Sequence, residues 1–169
     1  METRRRARIY LTTATMMLTA ALAMPAAAQQ VPFKGALEGH DTVLPGPSPT
    51  TVIIDTEATG TGTHLGQFSL IMEFTADLVQ STAAGSARWT AANGDSIDTT
   101  MVSSAEPADS PEYLKLTEVH TITGGTGRFT GAQGSFVVER LHKFAPDSDG
   151  RHATFGGFHG TVTPPGHAH

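Results

Sequence analysis

Five glycines crowd one short connection: Gly124, Gly125, Gly127, Gly131 and Gly134. The chain alternates on both sides of it. Before the connection Leu114, Leu116, Glu118, His120 and Ile122 share one face, and Lys115, Thr117, Val119 and Thr121 the other. After it a second run extends from Ser135 to His142. A period of two with β-branched residues is the signature of a strand. Glycine at this density marks positive φ or close backbone approach. Phe129 is the one large apolar residue in the connection, and it is expected to plug a barrel mouth and fix the loop.

A nucleotide-binding reading fails on physical grounds. Gly124-Gly125-Thr126-Gly127 followed by Gly131 looks like a dinucleotide fingerprint. That motif needs a helix of several turns whose N-terminus faces the pyrophosphate. Here Gly131 and Gly134 interrupt any helix, and a strand resumes at once.

The rest of the chain repeats the strand pattern. Val31 to Gly39 reads as a first strand, with Pro32 near its start. His40 to Pro49 reads as a loop, because Pro45-Gly46-Pro47-Ser48-Pro49 cannot hold regular structure. A plain surface connection is the favoured reading of that loop, a lid over a barrel mouth the alternative. Thr50 to Thr59 is a second strand and His64 to Ala76 a third. In the third, Phe68, Leu70, Met72 and Phe74 make one clean apolar face, with Glu73 opposite. Asp77 to Gly85 reads as a polar connection. Ser86–Ala92 and Asp95–Ser103 form a hairpin around Asn93-Gly94, a pair suited to a type I′ turn. His152 to Thr163 closes the sheet, and the tail from Pro164 to His169 is expected to be disordered. Eight strands with regular turn signals and no helical period predict an all-β fold, an eight-stranded antiparallel β-barrel of lipocalin-like shape.

The stretch Thr121–Glu139 also resembles a known signature. Strand, Gly-Gly-Thr-Gly-Arg-Phe, a bridge ending Gly131-Ala-Gln-Gly134 and a further strand are similar to the allene oxide cyclase and dirigent barrels, closest to their bacterial secreted branch. The resemblance extends more loosely over Thr63–Val162. It implies an eight-stranded antiparallel barrel with a central apolar cavity, trimeric in many plant members, and a family holding both enzymes and non-catalytic proteins. No catalytic residue of that family matches a position here by motif, so none is carried over.

The N-terminus carries an address. Arg4, Arg5, Arg6 and Arg8 form a basic n-region, Ile9 to Met24 is apolar, and Ala26-Ala27-Ala28 offers a cleavage site before Gln29. Residues 1–28 read as a secretory signal peptide, 29–163 as a single barrel domain, and the protein as secreted or periplasmic. The segment carries four Arg and one Glu, so its removal takes the formal charge from −5 to −8. An acidic domain without a basic patch excludes nucleic acid, and no membrane association is expected after cleavage. With no cysteine in 169 residues, stability must come from barrel closure.

Candidates for chemistry are sparse. Glu118 and His120 share a face, and with His159 they are the weak candidates for acid–base work. If that face points inward, burial would raise the Glu pKa and lower that of His. The favoured alternative puts the pair at a solvated rim, with Leu114, Leu116 and Ile122 inside. Phe68, Leu70, Met72, Phe74, Trp89 and Leu116 are expected to line or fill the barrel interior. The eight histidines show no ligand spacing with a third donor, so no metal and no cofactor is expected. Three readings follow. The favoured one is a barrel holding a small apolar ligand. The others are a cyclase or isomerase of lipid or terpenoid substrates, and a non-catalytic oligomeric or surface protein.

Export is expected to remove residues 1–28. The intact mass of the exported protein should correspond to a chain beginning at Gln29. A mass that retains Met1–Ala28 would refute the cleavage.

Overall fold

Alternating side chains give each strand one wet and one dry face, and eight such strands bury every dry face only by closing on themselves. A computed structural model describes residues 29–163 and Gly166; the signal-peptide segment and the rest of the tail lie outside the described residues. The strands are β1 (Val31–Pro45), β2 (Thr51–Gly62), β3 (Gly66–Asp77), β4 (Thr82–Ala91), β5 (Ser96–Pro107), β6 (Tyr113–Gly125), β7 (Gly134–Lys143) and β8 (His152–Val162). Each pairs antiparallel with the next, and β1 pairs with β8, from Val31 opposite Val162 to Asp41 opposite His152. The fold is an all-β, closed eight-stranded antiparallel barrel, with no unpaired strand edge among the described residues.

The lumen has two halves. The half nearer the glycine-rich connection is packed with rings. Phe33 lies 5.0 Å from both Phe136 and Phe158, and Trp89 lies 5.3 Å from Phe68 and 5.2 Å from Phe136, centroid to centroid. Such pairs each contribute about 0.5–1.5 kcal/mol beyond their area burial. Inward-facing glycines make the room: a Cβ on Gly35 or Gly62 would come within 2.6 or 2.7 Å of the Phe158 ring tip. Phe68, Leu70, Met72, Phe74 and Trp89 all belong to one buried core cluster that runs along the lumen, and Leu116 is also buried.

The glycine-rich connection closes that end. Gly127–Phe129 form one 3-10 turn, and Phe129 is 1% exposed within the core cluster. Gly127, Gly131 and Gly134 have φ of +56°, +72° and +139°. A Cβ on Gly127 would also overlap Asp95 Oδ1, and one on Gly125 the Ser96 carbonyl oxygen. Gly124 meets no such limit: it sits where β6 bulges against β5 between Asp98 and Thr99. Arg128 ties the connection to the β2–β3 turn, donating from Nη2 to the His64 carbonyl oxygen at 3.0 Å.

Three expectations need correction. His40–Pro45 is strand, not loop: it pairs with Val52–Glu57 on one side, and His40 and Asp41 pair with β8 on the other. Only Gly46–Thr50 turns, closed by Gly46 N–H to the Thr51 carbonyl at 3.1 Å. Prolines end β1 but do not prevent its pairing from continuing up to them. The Asp77–Gly85 connection shrinks to Leu78–Ser81, because Thr82 already pairs with Asp77. The Asn93-Gly94 hairpin forms, yet only Gly94 has positive φ, +90°. Gly94 N–H reaches the Ala91 carbonyl at 2.9 Å, and Asn93 Nδ2 donates to Asp95 Oδ2 at 2.8 Å. The loop is therefore a longer turn ending in a left-handed glycine, not type I′.

Gly127→Val and Gly131→Val are each expected to cost about 1–3 kcal/mol of stored backbone strain. Chemical denaturation checks this. Unchanged midpoints for both would mean that the connection tolerates a Cβ.

Candidate functional site

The other half of the lumen is polar at its base. β6 places Glu118 and His120 inward, because Leu116 and Ile122 on the same face are also buried. β7 brings Arg140 and His142 on the face of Phe136 and Val138. β1, by continuing past Gly39, brings Asp41. Glu118, His120, Arg140 and Asp41 are 1%, 0%, 2% and 0% exposed. The solvated-rim reading of Glu118 and His120 is thus overturned. The pair is sealed by Arg140 from the neighbouring strand, and by Trp89 and Phe136, which pack on the His120 ring at 5.6 and 5.0 Å.

One guanidinium organises the cluster. Arg140 Nε donates to Glu118 Oε1 at 2.7 Å. Its Nη1 donates to Asp41 Oδ1 and Oδ2 at 3.0 and 2.8 Å, and lies 2.7 Å from Thr154 Oγ1. Thr56 Oγ1 donates to Asp41 Oδ1 at 2.6 Å. His142 Nδ1 lies 2.6 Å from Asp41 Oδ2, and His120 Nε2 3.4 Å from Glu118 Oε2. Thr99 Oγ1 holds the other nitrogen of His120 at 3.0 Å. The guanidinium lies over the Phe74 ring at 5.6 Å, reaching across the lumen from β7 to β3. Its Nη2 is buried and has no hydrogen-bond partner among the described residues. Gly156 stands opposite Arg140 in the sheet, where a Cβ would overlap the Glu139 carbonyl oxygen and crowd the Arg140 Cα.

The charges hold one another. Burial works against the charged form of Asp41, but Arg140, then the hydrogen bonds from His142 and Thr56, outweigh it and hold the carboxyl below its ordinary 3.8. Burial likewise opposes ionised Glu118, and Arg140 and His120 bring its carboxyl below the ordinary 4.5. Burial pushes Arg140 down, and the two carboxylates more than reverse it, so its pKa is raised. Two carboxylates around one guanidinium leave a net −1 when both imidazoles are neutral.

Above this base the inward-facing wall turns apolar and is only partly buried. Ile54, Ala76 and Ala83 are partly buried against the core, and Leu114 pairs with His142 at the mouth. His142 has 12% of its side chain exposed, unlike the sealed carboxylates below it. His159, the third acid–base candidate, does not join the others. It lies on the outer face of β8 and is exposed, because Phe158 and Val162 take the inward parity. Glu73 is also outside. Among the described residues no group of three or more His, Cys, Asp or Glu is placed to hold a metal ion. A separate open concavity of about 800 Å³ lies over the outer face of β1–β4, among Glu38, Thr59, Thr61, Gln67 and Ser69. It shares no residue with the charged cluster.

Sequence reading missed Asp41, Arg140 and His142. The signal for two of them was present: Phe136, Val138, Arg140 and His142 follow one parity, so an inward Phe136 implies an inward Arg140.

No protein-family model matches the chain, and no curated protein matches it. Among solved structures, it is similar to two pterocarpan synthase dirigent proteins. One has a TM-score of 0.48 at 12% identity, covering 90% of this chain and 99% of that one. The other has a TM-score of 0.46 at 13% identity, covering 81% and 96%. The fold assignment stands on the strand order itself.

The depressed carboxyls fix the sign of the acid response. The unfolded chain takes up protons that the folded barrel refuses, so this stabilisation is present above the ordinary values of 3.8 and 4.5 and is lost as pH falls below them. Thermal melts from neutral pH into that range should show a steep loss, shallower in Glu118→Gln. Arg140→Met, which strands two buried carboxylates, should lose about 3–5 kcal/mol in denaturant. A melting temperature flat across the acid range would refute the account.

Proposed function

We propose that the half of the barrel beyond the charged cluster binds a small, neutral, mainly apolar molecule that presents a hydrogen-bond acceptor to Arg140. The observation that carries this is the buried Nη2 of Arg140, which has no hydrogen-bond partner among the described residues. A buried donor without a partner costs about 1–3 kcal/mol, and a ligand carbonyl, ether or phenol oxygen would recover it. With both imidazoles neutral, the net −1 of the cluster would disfavour a carboxylate ligand. A packed barrel with purely structural duty would do better with apolar side chains in place of Asp41, Arg140 and Glu118, since buried ion clusters are poor sources of stability.

Membership of the allene oxide cyclase and dirigent superfamily is part of this reading, motivated by Thr121–Glu139. Export to the periplasm or beyond is part of it too, motivated by the first 28 residues. Self-association has a surface to act on: Val102 and Val119, 59% and 44% exposed, lie directly opposite on the outer faces of β5 and β6, with Val137 next across β7.

The test uses prodan, a neutral naphthalene ketone whose emission reports its surroundings. It should bind saturably with micromolar affinity, shift to the blue and quench Trp89. The anionic probe anilinonaphthalene sulfonate should bind more weakly. Arg140→Met should weaken prodan binding, and Leu114→Trp, which fills the mouth and leaves the charged cluster intact, should block it. Saturable binding unaffected by Leu114→Trp would place the ligand elsewhere and overturn the proposal.

A further inference from the structure

His142 holds the cluster's one contact with solvent, and its two ring nitrogens are not equivalent. Nδ1 faces Asp41 Oδ2 at 2.6 Å. Asp41 is bound at both oxygens by Arg140 and at one by Thr56, so it is a carboxylate that only accepts. Nδ1 therefore carries a proton and donates it. In the neutral ring the lone pair then sits on Nε2, which has no hydrogen bond among the described residues. His152 stacks on the ring at 4.9 Å and 18° between planes. Its own Nδ1 donates to the Lys143 carbonyl oxygen at 3.0 Å, which fixes the second ring in turn. The groups facing His142 are Asp41 from β1, His152 from β8, Arg140 behind the carboxylate, and apolar Leu114 from β6.

We propose that Asp41 and His142 form a general-base dyad, in which His142 Nε2 accepts a proton from a weakly acidic C–H or O–H of the molecule seated in the mouth. This rests on the ligand site proposed above and assigns it a reaction class. His142 would be the catalytic residue. Asp41 is a positioning residue: it selects the tautomer and stabilises the imidazolium that forms. Arg140 and Thr56 in turn hold the carboxylate still. In the step, the substrate's C–H or O–H electron pair stays on the substrate and the proton moves to Nε2. The imidazolium then returns that proton to another atom or to a departing oxygen. The net change is an isomerisation or an internal elimination, with no oxidant or reductant. Glu118 and His120 have no part in it, being sealed beneath.

The probe is 5-nitrobenzisoxazole, a small neutral aromatic. A base takes its ring C–H proton, that electron pair completes a nitrile, and the N–O bond breaks to give a coloured cyanonitrophenolate, the probe less the one proton that the base then releases to water. Release should saturate, exceed an equal concentration of free imidazole by roughly 100-fold, and rise with pH through one ionisation. His142→Gln should bring the rate to background, while His159→Gln, on the outer face, should not change it. Long-range proton–nitrogen spectra should show His142 protonated at Nδ1, and Asp41→Asn should mix the tautomers. Trp89 quenching by the probe without turnover would remove the dyad alone. Neither quenching nor turnover would remove the ligand site beneath both readings. A His142 ring protonated at Nε2 alone would overturn the dyad whatever the binding result.

Discussion

One guanidinium in the lumen sets the terms for the rest of the barrel. Arg140 holds Glu118 on its own side of the wall and Asp41 on the strand that closes it. Moving any of these charges out of water costs several kcal/mol, and only close, well-directed partners offset it. The local sequence is arranged around that requirement. Gly156 stands beside Arg140 where no Cβ fits, Thr56 and Thr154 supply hydroxyls, and Phe74 offers a ring face to the cation. Six strands contribute a polar atom to the network, and β3 and β4 contribute the rings of Phe74 and Trp89.

The two halves of the lumen solve opposite problems. Around Phe33, Trp89, Phe136 and Phe158, glycines on the inner wall admit rings, and the outcome is a dense plug. Around Asp41 and Arg140 the same sheet carries charge, and its mouth is lined by small aliphatic residues. The plug makes the charged half possible, because it supplies burial that the ionic cluster takes away. His120 lies at the boundary, stacked on Phe136 within 7° of parallel and hydrogen-bonded toward Glu118.

Much of the fold was legible because strand parity is a local property. The alternation of Phe68 to Phe74, the glycines before Gly134 and the apolar run around Leu116 lead to a closed β-barrel without any tertiary knowledge. The site was less legible because its partners are far apart along the chain. Glu118 and His120 carried the correct face, but Glu118 is held inside by Arg140, 22 residues away. Asp41 was concealed by its neighbours: the proline-rich turn after Leu44 masks a strand that pairs with β8 as far as Asp41 and with β2 as far as Pro45. His159 looked like a partner for Glu118 only while its parity was left out, since Phe158 and Val162 turn it outward.

Closure has a consequence for how the chain reaches this state. Asp41 meets Arg140 across 99 residues, and β1 acquires its second neighbour only from β8, the last strand. Until β8 docks, Asp41 is parted from Arg140 and the outermost strands each have a bare edge. The entropy of bringing such distant segments together comes due before the contacts that reward it. Assembly is thereby weighted toward a late, all-or-none event. A ribosome or a translocation channel releasing the chain from its N-terminus would deliver every strand but one before the ring had any means of locking.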